Sequence, residues 1–456
     1  MVRILIISDI HLWSLPNEHD QFYPIRCNLL EDIKDYTVAN GAISHILISG
    51  DIAEKGAKDE YKQATQFINE LCKKANCPEH EVYLIPGNHD KDFGTAQSGI
   101  RHLVHAGMSS EMSNIDVDKQ WYDILRNDTK SAQLVYAPFK EYHSFASSYD
   151  SVEPLMAKCL DGMDEQYDPK KHKMFIEYQL SNIGSYQINL YGMNTALISD
   201  WYDVNDDGKG HKLFLPKLAY NIDAPQEGHI NILMMHHPLN RVKNGMEIQK
   251  SLDKKFQIQI FGHLHRPASD DEGAIHILSG AFQPPSGGKE SEYFSVYNIL
   301  ELDVKEDIND DMLNARLYVE KFNKETFVHL KEESKTFEVK LKNNRENRWL
   351  NKQKMEDMEV EKLPKGITKR EVRYRFIQSP KATQIMKEFN MYDKNKSLSA
   401  NTVFFLNALE KQNRFVELWA KLSNLNSATL LSIKLFKYLS NKKLPRILPC
   451  RRIHLS

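Results

Sequence analysis

The sequence has few cysteines, almost no net charge and no long hydrophobic run. The apolar run at the N-terminus ends at Asp9, so it is too short for a signal peptide or a membrane span, and no other stretch is long enough to cross a bilayer. The five cysteines are odd in number and scattered, and no second pair completes a zinc site around Cys72 and Cys77. These absences predict a soluble, cytoplasmic protein with reduced thiols.

The small net charge of −2 conceals an uneven distribution of charge along the chain. Residues 1–340 contain 35 basic and 52 acidic residues, a balance of −17, whereas residues 341–456 contain 25 and 10, a balance of +15. A chain of 456 residues also exceeds the size at which single hydrophobic cores stop growing. We therefore predict a domain at 1–340 and a basic region at 341–456. That basic region has three possible partners: nucleic acid, an anionic membrane or the acidic domain itself.

The N-terminal third alternates buried strands with amphipathic helices. Residues 2–8 and 43–49 are near-continuous β-branched and apolar runs, typical of strands buried on both faces, and a third run begins at Tyr83. Residues 25–40 and 58–74 have apolar side chains at helical spacing. This order predicts parallel strands joined by right-handed crossovers in a layered α/β domain.

Residues 91–185 lack a clear succession of strands and contain several aromatic residues. We interpret them as an insertion, which either lies over the site as a cap or forms a peripheral packing subdomain. The aromatic residues concerned are Trp121, Tyr136, Phe139, Tyr142, Phe145 and Tyr149.

Strands resume after the insertion and helices follow near the C-terminus. The predicted strands are 186–192, 230–235, 256–261, 274–278, 294–300, 313–322 and 325–341. Residues 344–370 are highly charged and linker-like, and residues 380–440 are predicted to be mainly helical. One apolar face comprises Phe404, Leu406, Leu409, Phe415, Leu418 and Leu422, and a further helix is expected around residues 430–439.

Polar side chains follow five of the predicted strands at the points where they end. They are Asp9 and His11; Asp51; Asn88, His89 and Asp90; His236 and His237; and His263 and His265. In open α/β sheets ligands bind at the carboxyl ends of the strands, so these side chains are expected to share one site. A single histidine at a strand end is usually structural, but five coincident cases indicate a metal centre.

The donor types indicate which ions this centre would bind. Carboxylate, imidazole and amide oxygen without thiolate suit manganese, iron, zinc, cobalt or nickel better than calcium. The side chains suffice for two divalent ions, and two ions a few Å apart need a shared anion, for which Asp51 is the natural candidate. Such a pair acidifies a bridging water and neutralises charge on a phosphoryl group during in-line displacement.

These five blocks resemble the binuclear metallophosphoesterase (calcineurin-like phosphoesterase) superfamily over roughly residues 1–300. The family pattern is Asp-x-His, Gly-Asp-x-x-Asp, Gly-Asn-His-Asp/Glu, His and Gly-His-x-His, and all five blocks occur here in order. The resemblance implies a layered α/β/β/α sandwich, here with an inserted cap region and a C-terminal, mainly helical basic region. It implies two divalent ions, of which manganese is favoured.

The resemblance also implies a role for each matching residue. It assigns Asp9, His11 and His265 to one ion, Asn88, His236 and His263 to the other, and Asp51 to both. His89 would contact the scissile phosphate and protonate the leaving oxygen as the catalytic acid, and Asp90 would orient it.

Three details depart from the pattern or lie outside it. Glu54 occupies the position of the second aspartate in the Gly-Asp block, which leaves only the local geometry open. Of the adjacent His236 and His237 only one should coordinate directly, because neighbours on a strand point to opposite faces, and the block alignment selects His236. Arg241 and Arg266 either hold a phosphate oxygen of the substrate or are solvated surface arginines.

We therefore predict a metal-dependent phosphohydrolase, with a phosphodiester favoured as substrate. The segment 50–90 is similar to the cyclic-nucleotide phosphodiesterase branch of the family, so the substrate could be a nucleotide. One alternative is a nuclease that holds nucleic acid through residues 341–456. Another is a scaffold without catalysis that binds partners through its C-terminal helices.

Overall fold

The computed structural model describes residues 1–13, 20–96, 107, 114–162, 166–200, 203, 212–243, 245–283, 295–307, 310–342, 363–364 and 366–423. Within these residues the chain divides into two compact units, Met1–Met358 and Glu359–Ser456. The predicted boundary at residue 340 falls at the end of the last strand of the first unit.

The first sheet contains the three parallel strands expected at the N-terminus. They are β1 (Val2–Ile7), β2 (His45–Ile48) and β3 (Val82–Leu84), and the connections between them contain α1 (Tyr23–Asn40) and α2 (Lys58–Ala75). The parallel pairing confirms the strand–helix–strand order read from the sequence. Helix α1 begins two residues before the predicted start and has Pro24 in its first turn, where a missing N–H costs nothing.

Later strands extend this sheet on the other side of β1. These are β10 (Val296–Lys305), β11 (Met312–Phe322), β12 (Phe327–His329) and β13 (Lys335–Lys340). The order is β12-β11-β10-β1-β2-β3, with β13 also paired to β11, and all the added pairs are antiparallel. The single strand expected at 325–341 is therefore two strands separated by a turn.

The second sheet has the order β4-β5-β6-β7-β9-β8. Strands β5 (Tyr186–Met193), β6 (His229–Met235), β7 (Ile258–Phe261) and β9 (Ile275–Leu278) are parallel, whereas β4 (Phe175–Ile183) and β8 (Ala268–Asp270) pair antiparallel at the edges. A continuous apolar core joins the two sheets, with Ile4, Leu47 and Tyr83 from the first and Leu190, Ile232 and Ile260 from the second, each fully buried. The layered α/β fold with two sheets is thereby confirmed.

The described part of the segment 91–185 is mainly helical, and its last part is β4, an edge strand of the second sheet. It contains α3 (Phe93–Ala96), α4 (Asn114–Asn127), α5 (Thr129–Tyr136), α6 (Lys140–Ser147) and α7 (Pro154–Leu160), and then the single strand β4, in a segment where the sequence showed no clear succession of strands. The six aromatic residues named above are all buried. They fill a core, and Phe145 stacks on Tyr61 of α2 with ring centroids 4.8 Å apart. A cap over the site stays a prediction.

Two short helices lie beside the second sheet, α8 (Lys217–Tyr220) and α9 (Gly245–Leu252). The second unit is helical, as expected, with α10 (Lys369–Ile377), α11 (Ala382–Glu388), α12 (Leu398–Lys411) and a further helix at 415–423. Its core includes five members of the predicted apolar face, but Phe404 is 53% exposed, because it lies on the opposite side of α12 from Leu406 and Leu409. The helix predicted around 430–439 lies outside the described residues. Among the helices that the structure describes, none is long and apolar enough to cross a membrane.

Candidate metal centre

The carboxyl ends of β1, β2, β3, β6 and β7 meet at one edge where the two sheets adjoin. Backbone and side-chain hydrogen bonds join them across the sheets. The His236 Nδ1–H donates to the carbonyl oxygen of Ser49 (2.9 Å), and the backbone N–H of His263 donates to Asp9 Oδ2 (3.1 Å). The predicted convergence of the five strand ends is therefore present.

Asp9, His11 and His265 form one group of potential ligands, whose candidate atoms lie within 4.8 Å of one another. Asp9 Oδ1 is 3.9 Å from His11 Nε2 and 3.7 Å from His265 Nε2. Asp9 and His11 are fully buried, yet neither Asp9 Oδ1 nor His11 Nε2 has a hydrogen-bond partner among the described residues. A buried carboxylate oxygen and imidazole nitrogen without partners are costly, and a cation between them would satisfy both.

The second group gathers Asn88, His236 and His263. Asn88 Oδ1 is 3.1 Å from His236 Nε2 and 3.2 Å from His263 Nδ1. Because a carbonyl oxygen can only accept, the His236 Nδ1 that faces Ser49 carries the proton, and Nε2 is the atom available to an ion. The side chains thus present one amide oxygen and two imidazole nitrogens to a common point.

Asp51 lies between the two groups. Its Oδ2 is 3.2 Å from His236 Nε2 and 3.9 Å from His11 Nε2, so one carboxylate oxygen faces a member of each group. Asp9, Asp51 and His236 also form a group within 4.8 Å. This is the geometry that a shared anionic ligand requires.

The backbone at this edge is strained at four of the candidate ligands. Asp9, His11, Asp51 and His263 have φ values of 53°, 45°, 51° and 63°, the left-handed region that L-residues seldom adopt. Gly87 has a different reason to be glycine, because a Cβ at that position would lie 2.1 Å from Asp51 Oδ1. Gly87 therefore permits the close approach of Asp51 to the loop after β3.

His89 is half-buried and held from two sides. Its backbone N–H donates to Asp51 Oδ1 (2.7 Å), and its Nδ1–H donates to the carbonyl oxygen of Glu54 (2.8 Å). The carbonyl fixes the tautomer, so Nε2 is the nitrogen that can exchange a proton with a substrate. The ring lies edge-on to that of His11, with centroids 4.6 Å apart.

Among the described residues, no hydrogen bond joins the Asp90 carboxylate to the His89 imidazole. The Asp90 carboxylate accepts from the backbone N–H groups of Ile52, Ala53 and Gly87 at 2.9–3.2 Å and from the Tyr61 hydroxyl at 3.0 Å. Four donors thus converge on this carboxylate inside the protein. Burial, and then the charge of Asp51, raise the pKa of Asp90 to about 6. Asp90 therefore joins the loops after β2 and β3, and its role in orienting His89 stays a prediction.

Glu54 is a site residue whose role the sequence left open. Glu54 is buried, and its Oε2 lies 3.3 Å from His11 Nδ1. Its backbone carbonyl oxygen accepts a hydrogen bond from the His89 Nδ1–H. One residue thus contacts both a candidate ligand and the candidate acid. Thr195, two residues beyond the end of β5, is another residue near the site that the sequence did not single out.

Thr195 explains the difference between the two adjacent histidines. Its Oγ1 is 3.0 Å from His237 Nδ1 and accepts the His237 backbone N–H at 2.9 Å. His237 therefore turns toward β5, although it also belongs to a group with His236 and His263 within 4.8 Å. The position of His236 beside Asp51 and Asn88 supports its choice as the direct ligand.

The two arginines differ in their surroundings. Arg241 is buried in the turn Leu239–Arg241. Burial is the main cause that lowers the pKa of His263, and the positive charges of His236 and Arg241 lower it further. Arg266 is exposed. The structure thus brings Arg241 to the site and leaves Arg266 on the surface.

The charges of the site fit a bound cation. Burial opposes charge on His236, but Asp51 outweighs it and raises the pKa of His236 to about 9. In turn, although burial would raise it, the charge of His236 and then of His89 holds the pKa of Asp51 well below its usual range. The buried carboxylates thus favour a proton on His236 as counter-charge, and a divalent ion can take the place of that proton.

Comparison with known proteins places this site in a familiar context. A family model described as calcineurin-like phosphoesterase matches residues 2–267. The uncharacterized metallophosphoesterase-like protein YydB of Bacillus subtilis (strain 168) is 23% identical over 294 residues, which is 61% of this chain and 53% of YydB. The chain thus spans about half the length of this curated relative.

Solved structures give weaker similarities. A single-mutant form of Vps29 from Entamoeba histolytica is 13% identical, covering 75% of this chain and 99% of its own at a TM-score of 0.27. A putative 5'-nucleotidase from Staphylococcus aureus is 11% identical, covering 78% and 58%, at a TM-score of 0.33.

Proposed function

Because this chain belongs to the calcineurin-like phosphoesterase family, we propose that it is a metal-dependent phosphoester hydrolase, with a phosphodiester as the preferred substrate. The observation that carries the proposal is Asp51, whose carboxylate lies between two groups of buried imidazole and carboxylate donors. A two-ion centre requires a shared carboxylate at this position, whereas a binding scaffold does not.

The proposed centre assigns Asp9, His11 and His265 to one ion, and Asn88, His236 and His263 to the other. The donor set suits manganese, iron, zinc, cobalt or nickel, and manganese is our first choice. When bound, the two ions would supply an acidified water for in-line attack and would neutralise charge on the phosphoryl group.

The protein's own residues contribute positioning and proton transfer. His89 holds a proton at Nδ1 through Glu54, which leaves Nε2 to donate to the leaving oxygen once the ring is protonated. Arg241 is the proposed contact for a phosphate oxygen, since it is buried beside the second group. Arg266, being exposed, has no such support and remains a proposal from its position alone.

The preference for a diester and the likeness to the cyclic-nucleotide branch rest on the segment 50–90. The nuclease alternative rests on the basic region at 341–456. In the described part of that region several bases pair with its own acids, as Arg414 does with Glu417 and Arg375 with Glu371. The structure therefore adds nothing in favour of nucleic acid as substrate.

The test compares variants of the full chain for metal content and for hydrolysis of an aryl monoester, an aryl diester, cyclic nucleotides and single-stranded nucleic acid in manganese. Asp51→Ala should lose bound metal. His89→Ala should keep it but lose about 10²–10⁴-fold in turnover, the usual contribution of a general acid. His276→Asn is the matched control, since His276 lies on β9 and pairs with Asp253 and Asp270 away from the centre. Wild-type turnover in both site variants would refute the proposal.

A further inference from the structure

Gln283 holds the backbone of the first ligand pair on both sides of Ile10. Its own N–H donates to the carbonyl oxygen of Asp9 (3.0 Å), and its side-chain Nε2–H donates to the carbonyl oxygen of His11 (2.8 Å). Gln283 is 1% exposed. A single residue far along the chain therefore straddles the Asp-x-His block.

Arg26 fixes the orientation of this side-chain amide. Its Nη1–H donates to Gln283 Oε1 (3.1 Å), and arginine can only donate whereas a carbonyl can only accept. The amide of Gln283 has one orientation that satisfies both neighbours, with oxygen toward Arg26 and nitrogen toward His11. Rotation of the amide by 180° would place like groups against each other at both ends.

Asp20 completes this network by accepting from Arg26 Nη2 with one oxygen and from the Phe22 N–H with the other (2.9 Å). Asp20 and Arg26 are both buried. A buried ion pair is a poor source of stability, because desolvation offsets its attraction, and such pairs can serve instead to specify one conformation.

The conformation that needs specifying lies at the end of this network. Asp9 and His11 are both left-handed, and on their other side the N–H groups of Ile10 and His11 donate to the carbonyl oxygen of Asp51 (2.8 and 3.0 Å). Strained residues persist only where their surroundings over-determine them. Hydrogen bonds to the Asp51 carbonyl restrain this backbone from one side, and hydrogen bonds from Gln283 restrain it from the other.

We propose that Gln283, oriented by Arg26 and Asp20, is a positioning residue that fixes Asp9 and His11 for the first of the two ions. This inference rests on the proposed function for the identity of the ligand, a divalent cation. It goes beyond that function by predicting that the two ion positions depend on different supports. His236 and Asn88 make no hydrogen bond to this network among the described residues, whereas the His263 N–H donates to the Asp9 carboxylate.

The test uses Gln283→Leu and Gln283→Glu in the full chain, with Gln259→Leu as control. Gln259 is also a fully buried, hydrogen-bonded glutamine, on β7, but its partners are Gln249 and Asp253. Gln283→Glu keeps the acceptor for Arg26 but replaces the donor to His11 with a charged oxygen, whereas Gln283→Leu removes both side-chain hydrogen bonds without adding a charge.

Metal content and Mn²⁺ titration are measured alongside hydrogen exchange of the metal-free protein across residues 9–13. Both Gln283 variants should weaken the binding of one of the two ions by about 10–100-fold, the usual effect of removing a residue that supports a metal ligand. The binding of the other ion should be unchanged. The Gln283 variants should also speed exchange at Ile10, His11 and Leu12, which Gln259→Leu should not do.

Two-ion binding and exchange like wild type in the Gln283 variants would overturn the inference while leaving the proposed function intact. Equal weakening of both ions would also overturn it, because that is the result of a general structural role. A wild-type protein that binds none of manganese, iron, zinc, cobalt and nickel would instead refute the proposed function, and the exchange measurement would still decide whether Gln283 restrains the Asp9–His11 backbone.

Discussion

Asp90→Asn separates two roles for the carboxylate that follows His89. If Asp90 oriented the imidazole, its replacement would lower turnover and leave the loops intact. The structure instead gives it four donors, three of them backbone N–H groups from the loops after β2 and β3. We therefore expect the loss to appear first as local opening of those loops.

The size of the effect follows from the hydrogen bonds that asparagine cannot make. Its one oxygen can still accept from Ile52, Ala53 and Tyr61, but its amide nitrogen would face the Gly87 N–H, which now donates to Oδ2 at 2.9 Å. A buried donor left unsatisfied costs about 1–3 kcal/mol. At a central value of about 2 kcal/mol, the opening equilibrium should rise by roughly 30-fold.

Hydrogen exchange of the metal-free protein measures that equilibrium directly, in peptides that cover residues 50–56 and 85–92. Tyr61→Phe serves as the graded control, because it removes one neutral donor and should cost about 1 kcal/mol, roughly fivefold in exchange. Wild-type exchange in Asp90→Asn together with a large loss of turnover would refute the loop role and restore the role in orienting His89.

Two further predictions follow from ionisable groups. Binding of Mn²⁺ should release a proton from His236, whose pKa is raised to about 9, so the apparent affinity should increase about tenfold per pH unit between pH 7 and 9 in chelator competition; a flat profile would contradict this. Burial raises the pKa of Glu153 to about 8 from a reference of 4.5, so the folded state retains a proton that the unfolded state releases, and stability should fall as pH rises through that window. Glu153→Gln should remove this loss of stability, measured as the free energy of unfolding in urea at pH 5 and pH 8. An unchanged dependence of that free energy on pH would show that Glu153 is not responsible.

The sequence predicted the parallel strands and their polar ends because both signals are local. Strands β1 and β2 consist mostly of β-branched and other apolar residues, and each candidate metal block begins one to four residues after its strand. Strand β4 was missed because it is an antiparallel edge strand with several exposed polar residues. Its signal was present as the alternation of Ile176, Tyr178 and Leu180, but the surrounding polar segments obscured it.

The supports of the site could not be predicted, because they depend on contacts between distant segments. Gln283 reaches His11 across 272 positions of sequence, and Arg26 reaches Gln283 across 257. Neither residue carries a motif, and a buried glutamine has no characteristic spacing. The direction of the Asp90 carboxylate was equally hidden, since its partners are backbone N–H groups, which look the same in every residue.

The left-handed ligands show why the motif uses the residue types it does. Aspartate and histidine are among the non-glycine residues that adopt positive φ more readily than others, and both are also ligands for divalent ions. At roughly 1 kcal/mol or more for each of Asp9, His11, Asp51 and His263, the strain still amounts to a large share of a domain's usual stability of about 5–15 kcal/mol. Networks such as Asp20–Arg26–Gln283 must therefore hold this backbone before any ion arrives. The proposed metal centre thus depends on these supporting residues as much as on its candidate ligands, and variants of the supports should weaken metal binding where variants of the ligands should abolish it.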